Sequence, residues 1–334
     1  MKAPLIFKGD TRFVYASGVV RGLENYLLTR ADYQKVMDAT PEQLGTVLGE
    51  IGYGGGEHNP EHALDLATEQ LLSIVDKLSG DSGIGHTLRL SYDFRNAAAY
   101  LKYLWFSGEG EFKSFLPWGT LDPDALRSKI EDILNEQSTD IEPALAGAVE
   151  QARHLKDAYK TPLAVDIAFD RAYYRYAARN LPEGEYFSRW MAVMSDWANL
   201  KSFVRVINFG LNRKLFWETF AEGGDISAGK FKEAIDLDTD SIPAVFVHTE
   251  YGSRLSEVIK TALGGEMSGL DLFFRAKLME LYRYTRYCIF GPELLWAYAM
   301  TKHEEINTLR VILRAKGAKL PFEMIREVIS VVLE

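Results

Sequence analysis

Apolar residues recur at helical spacing along almost the whole chain. Leu64, Leu71, Leu72, Val75 and Leu78 repeat at three-, four- and seven-residue separations, which predicts an amphipathic helix over 60–79. Pro60 falls in its first turn, where a missing N–H breaks no hydrogen bond, and Gly80 ends it. The same logic predicts a helix over 163–180, through Ile167, Ala168, Tyr174 and Ala178, and another over 270–290, through Leu272, Phe273, Leu278, Leu281 and Tyr282. Strand-like alternation is scarce. The best run, Ile242 to Thr249, is short and holds Pro243, which does not suit a paired strand. The pattern therefore predicts an all-α fold. Helix breakers are dispersed over 52–56, 80–85, 117–123, 182–184, 223–224 and 264–269, so no single linker divides the chain.

A weak internal repeat underlies the helices. Asp93-Phe94-Arg95-Asn96 is echoed 103 residues later by Asp196-Trp197-Ala198-Asn199, and 108 residues later again by Glu304-Glu305-Ile306-Asn307. Four residues after each asparagine stands Tyr100, Phe203 or Val311; five after stands Leu101, Val204 or Ile312; eight after stands Leu104, Ile207 or Ala315. That is one apolar helix stripe written three times. A glycine follows each copy (Gly108, Gly210, Gly317), and then a short helical segment: Asp124 to Leu134, Ala228 to Ile235, or Phe322 to Val332. A fainter echo opens the chain, with a helix through Val20 and Leu27 ahead of Tyr33 to Met37. The reading is three related helical domains in series: 1–108, 109–212 and 213–334. The repeated Asn96, Asn199 and Asn307 read best as packing amides that bond backbone on a neighbouring helix, because three ligand contacts would need three ligands.

Charge and composition narrow the function. Of 334 residues, 47 are acidic and 38 basic, a net charge of −9, which argues against nucleic acid as a partner. Residues 31–150 hold 21 acids and 8 bases, whereas 151–334 is close to neutral. Such a stretch is either a solvated acidic face or a surface for a basic partner. The single cysteine, Cys288, excludes an internal disulfide framework and any multi-cysteine metal site, and its apolar neighbours predict an inert buried thiol. No signal peptide is visible, and the longest charge-poor run, Tyr287 to Thr301, is interrupted by Gly291-Pro292, so two buried helical segments are expected there and no membrane span.

Signatures of chemistry are sparse. His58-Asn59-Pro60-Glu61-His62 matches an H-x-x-E-H metallopeptidase pattern, but Pro60 starts the helix there, which takes His58 off the face of His62. Gly52 to Gly56 lacks the Lys-Ser/Thr pair of a phosphate loop. His303, Glu304 and Glu305 lack the spacing of a di-metal bundle. No catalytic residue, metal ligand or cofactor is assigned. The best partner-facing segments interleave arginine with tyrosine ahead of the repeat helices: Arg171, Tyr174 and Arg175 in one, and Arg283, Tyr284 and Arg286 in the other.

Taken in order, several of these features resemble the C subunit of the prokaryotic V-type (A-type) ATP synthase, the relative of the eukaryotic d subunit. They are the helix from Tyr15 to Leu28 followed by Asp32-Tyr33, the Ile51-Gly52-Tyr53-Gly54 turn, Asp93 to Leu104, Asp196 to Lys201, and Glu304-Glu305 to Pro321. The resemblance covers essentially the whole chain. It implies a funnel-like protein of three similar helical domains, with no active site and no cofactor. Its implied partners are the rotor shaft subunits (D/F type) and the membrane rotor ring, with one copy per complex on the cytoplasmic face of the membrane. It also implies a role in ion transport and ATP synthesis by transmitting torque. Two other classes stay open on the residues alone: a metal-dependent hydrolase using His58 and His62, and a helical-repeat scaffold of another complex.

Overall fold

A computed structural model describes residues 4–54, 57, 59–107, 112 and 115–320. Those residues form α-helices, short 3-10 turns and a π-helical turn, with no strand among them. In chain order the α-helices are α1 (Val14–Leu23), α2 (Arg30–Asp38), α3 (Leu44–Glu50), α4 (Pro60–Ser79), α5 (Ile84–Lys102), α6 (Pro123–Leu134), α7 (Pro143–Tyr159), α8 (Pro162–Asn180), α9 (Glu185–Asn208), α10 (Arg213–Thr219), α11 (Ala228–Ala234), α12 (Ile242–Val245), α13 (Gly252–Leu263), α14 (Ser268–Arg283) and α15 (Pro292–Gly317). The chain divides into two compact units, His86–Phe274 and Pro4–Gly85 with Arg275–Glu334.

In the unit His86–Phe274, α7 and α8 form a helical hairpin about Lys160, whose φ of +53° makes the reversal. Ala148 and Ala152 on α7, and Ala164 and Ala168 on α8, are fully buried. Small side chains at these positions let the two backbones approach closely. Farther along, Phe203, Phe216, Phe231 and Phe246 come from four different helical segments and are all fully buried. Their rings meet at 5.2–6.0 Å between centroids, mostly edge to face, as the ring quadrupole favours.

In the second unit α4 packs along α15, and α1 and α2 pack against α15 as well. The stripe read from the sequence is the buried one: Leu64, Leu71, Leu72 and Val75 are at most 3% exposed. Asn59 caps α4 by accepting the N–H groups of Glu61 and His62, with Pro60 at the first helical position. Thr29 and Asp32 form a reciprocal capping box at the start of α2. Gly80, at φ +50°, ends α4.

Several local expectations differ from the structure, each for an identifiable reason. The helix expected to reach residue 290 stops at Arg283, where the Thr285 hydroxyl donates back to the Tyr282 carbonyl and the chain tightens into a 3-10 turn over Tyr284–Tyr287. The strand-like run at 242 is a single helical turn, with Pro243 in it. Leu104 lies 41% exposed because Tyr103–Ser107 is a π-helical turn that rotates the stripe away from the core. Gly210 does end α9, at φ +59°, with Leu211 N–H bonding the Val206 carbonyl. Gly317 does not end α15 in that way. The left-handed residue there is Lys319, at φ +56°, and Leu320 N–H bonds the Ala315 carbonyl. Gly108 and the segment 322–332 lie outside the described residues, and Leu27 follows a 3-10 turn rather than extending α1.

Candidate docking surfaces

Two of the repeated asparagines hold the same arrangement. On α5, Asn96 Nδ2 donates to the Leu116 carbonyl and Asn96 Oδ1 accepts the Leu116 N–H, both at 2.8 Å. On α9, Asn199 does the same with Ala221, again at 2.8 Å in each direction. One side-chain amide thereby satisfies both polar groups of a residue in the connection after the helix, not of a neighbouring helix as expected, because backbone inside a helix is already paired whereas the connection's is not. The acid three residues earlier holds the same connection. Asp93 accepts the N–H and hydroxyl of Thr120, while Asp196 accepts the N–H groups of Asp225 and Ile226 and the Tyr251 hydroxyl. A glycine lies against each carboxylate, Gly119 on Asp93 and Gly224 on Asp196, and a Cβ at either would land on it. Burial pushes the Asp196 carboxyl up to about 6, although its three hydrogen-bond donors oppose the shift, and burial raises Asp93 as well. At the third copy, Asn307 bonds the His303 ring at 3.1 Å, and Glu304 lies 3.4 Å from Arg275; the end of the chain, where the matching connection would fall, is outside the described residues.

The first arginine–tyrosine segment lies on α8. Arg175 is exposed, Arg171 is half-buried, and Tyr174 is buried, so Tyr174 forms a wall and not a projecting anchor. Together with Arg179 and Ser195 these residues line a cavity of about 330 Å³. Arg171 reaches the Glu218 carbonyl, and its Nε has no hydrogen-bond partner. Burial, then the neighbouring Arg175 charge, holds the Arg171 guanidinium below its ordinary value.

The second segment lies in the other unit. Arg283, Tyr284, Arg286 and Tyr287 are exposed, and Arg286 stacks on the Tyr287 ring at 4.6 Å. Ile289, two residues on, is 83% exposed. The N-terminal segment runs beside this turn: Asp10 N–H bonds the Phe290 carbonyl, Gly291 N–H bonds the Ser17 hydroxyl, and Arg21 donates to the Thr285 and Cys288 carbonyls. It brings exposed Ile6, Val14 and Tyr15 to the same region, with Tyr15 at 77%. Sequence reading missed these three because nothing local links them to residues 284–289. Cys288 beneath them is buried, and burial pushes its thiol up to about 12.

The other chemical candidates are accounted for structurally. Glu305 is buried and accepts from Leu28 N–H, the Tyr53 hydroxyl and Lys302 Nζ, which ties the 28 and 53 loops to α15. His62 lies 3.6 Å from Glu57, while His58 falls outside the described residues. Among the described residues no group of His, Cys, Asp and Glu side chains could hold a metal ion, and no helix is long and apolar enough to cross a membrane.

The family model for the ATP synthase (C/AC39) subunit matches residues 16–328. The chain belongs to this family. The A-type ATP synthase C subunit of Methanococcoides burtonii (strain DSM 6242 / NBRC 107633 / OCM 468 / ACE-M) is 24% identical over 340 aligned positions, covering 95% of this chain and 94% of that protein. The match begins within α1, so it takes in both asparagine clamps and both arginine–tyrosine segments of this C/AC39-family chain.

Proposed function

We propose that this chain is a non-catalytic central-stalk subunit of a rotary A/V-type ATP synthase. In this reading it joins the rotor shaft (D/F-type subunits) to the membrane rotor ring and carries torque between them. It works in one copy per complex, at the cytoplasmic face of the membrane, without entering the bilayer. The observation that carries the reading is the family match over nearly the full length of the chain. Stiffness suits the role. Each clamp pins a connection to a long helix through an amide bonded at both its N–H and its oxygen, and through a buried carboxylate, and densely packed helices deform little under load. We read the sequence as three such repeats, 1–108, 109–212 and 213–334, in a funnel-like series, with the third clamp formed by Asn307.

The surface around Tyr284, Tyr287 and Ile289 is the proposed contact with one rotor partner. Its exposed tyrosine and arginine side chains are types enriched at interface cores, and Ile289 adds apolar surface beside them. A bridging assay tests the reading. With purified shaft subunits immobilised, detergent-solubilised rotor ring should be retained only when this chain is added. Ring retention of equal strength without it would remove the linking role.

A further inference from the structure

The cavity beside α8 lies next to the second clamp, which is filled differently from the first. The helices α5 and α9 align with an offset of 103 residues, and the connections they hold align with an offset of 105, set by the Leu116/Ala221 and Gly119/Gly224 pairs. In the first copy Tyr92 on the helix packs on Trp118 of the connection, at 5.5 Å between ring centroids, and both are at most 5% exposed. The matching positions of the second copy are Ser195 and Gly223. Ser195 Oγ only reaches the Glu222 carbonyl, and a Cβ on Gly223 would meet open space. Two large rings are thus replaced by a hydroxymethyl group and a hydrogen atom, and next to Ser195 lies the 330 Å³ hollow.

The hollow is lined by positive charge. Arg171, Arg175 and Arg179 stand at successive four-residue steps of α8, all on its rim or wall. None of the three makes an ion pair among the described residues. This chain carries more acids than bases, and it pairs other arginines with its own carboxylates: Arg12 with Asp10, Arg21 with Glu24, Arg127 with Glu131, Arg189 with Glu185 and Arg310 with Asp65. Glu222 also lines the hollow, but it is exposed and is not within ion-pair distance of the three. Three like charges held together against the single, more distant Glu222 carboxylate still repel one another, and a bound anion removes that repulsion. Apolar surface is supplied by Met191, Phe220 and the Tyr174 ring. They suit the methylene stem of an acidic side chain, whose carboxylate would meet the guanidinium forks.

We propose that this hollow receives a glutamate or aspartate side chain from an acidic segment of a partner protein. The inference rests on the coupling reading only for which subunit supplies that segment. The pocket chemistry is tested by itself. The full chain, isotopically labelled at arginine, is titrated with capped tetraglutamate peptide, with the tetraglutamine analogue and with inorganic phosphate. The Arg175 and Arg179 side-chain signals should shift and saturate with tetraglutamate and stay unmoved by tetraglutamine. Arg175→Glu with Arg179→Glu, both exposed and so compatible with folding, should weaken that binding by about tenfold or more. No shift with tetraglutamate, binding unchanged in the double variant, or phosphate binding as tightly as the peptide would each overturn the proposal, the last by making the hollow a small-anion site. Loss of ring retention in the bridging assay bears on the coupling reading and leaves this titration untouched.

Discussion

The two asparagine clamps use the same bonds and differ in what surrounds them. Asn96 and Asn199 each close a pair of 2.8 Å bonds on one residue's backbone, and Asp93 and Asp196 each seize the backbone just beyond it. Around the first, Tyr92 and Trp118 fill the space; around the second, Ser195 and Gly223 stand in their places, and Ser195 lines a hollow with three arginines. The polar clamp is the part of the repeat that the fold needs. The volume beside it can change without altering those bonds, which is where two copies of one element can come to serve different ends.

Emptying the filled copy should have the largest effect. Trp118→Ala removes a buried indole from Tyr92 and should cost about 3–5 kcal/mol of stability, read by denaturant unfolding. A loss below about 1 kcal/mol would show that the first clamp needs no filling. Next comes the clamp itself. Asn199→Ala strands the N–H and carbonyl of Ala221 in the core and should cost about 2–4 kcal/mol, against a smaller loss for Asn96→Ala, whose bonds are only partly buried. Equal small losses in both variants would separate the repeat from stability.

The two acids sharpen the comparison through pH. Asp196 is raised from 3.8 to about 6 in the folded chain, so the native state holds a proton that the unfolded state releases between these values. Its contribution to stability is therefore full below about pH 4 and falls as pH rises to about 6, by on the order of 3 kcal/mol in all. Thermal unfolding of Asp196→Asn and wild type between about pH 4 and pH 7 should differ by this slope, and parallel curves would contradict it. The smallest expected change lies at the surface. Tyr287→Ala should leave stability within about 0.5 kcal/mol, because the ring is exposed, while weakening retention of the rotor partner. Unchanged retention would move the contact away from residues 284–289.

Much of this architecture was legible in the sequence. The stripe on α4 and the helix over 163–180 follow from apolar spacing, and the repeated asparagines stood out by position alone. What the asparagines hold was not legible, because their partners lie 20 and 22 residues onward and no local pattern names them. The contrast between Tyr92–Trp118 and Ser195–Gly223 was hidden by the two-residue change in offset between helix and connection. Tyr174 was expected at a surface, but three residues beyond Arg171 it turns toward the core, where it walls the pocket. The segment that carries Ile6, Val14 and Tyr15 is tied to residues 285–291 through long-range bonds of the Asp10 backbone, the Ser17 hydroxyl and the Arg21 guanidinium, and periodicity carries no information about those.

The coupling role is tested most directly by reconstituting the ATP synthase into vesicles with and without this chain, following ATP hydrolysis and ion uptake together. Hydrolysis should persist without it, since no nucleotide chemistry is assigned to this chain, while ion uptake per ATP should fall to the background leak. Uptake per ATP that stays the same in its absence would contradict the account.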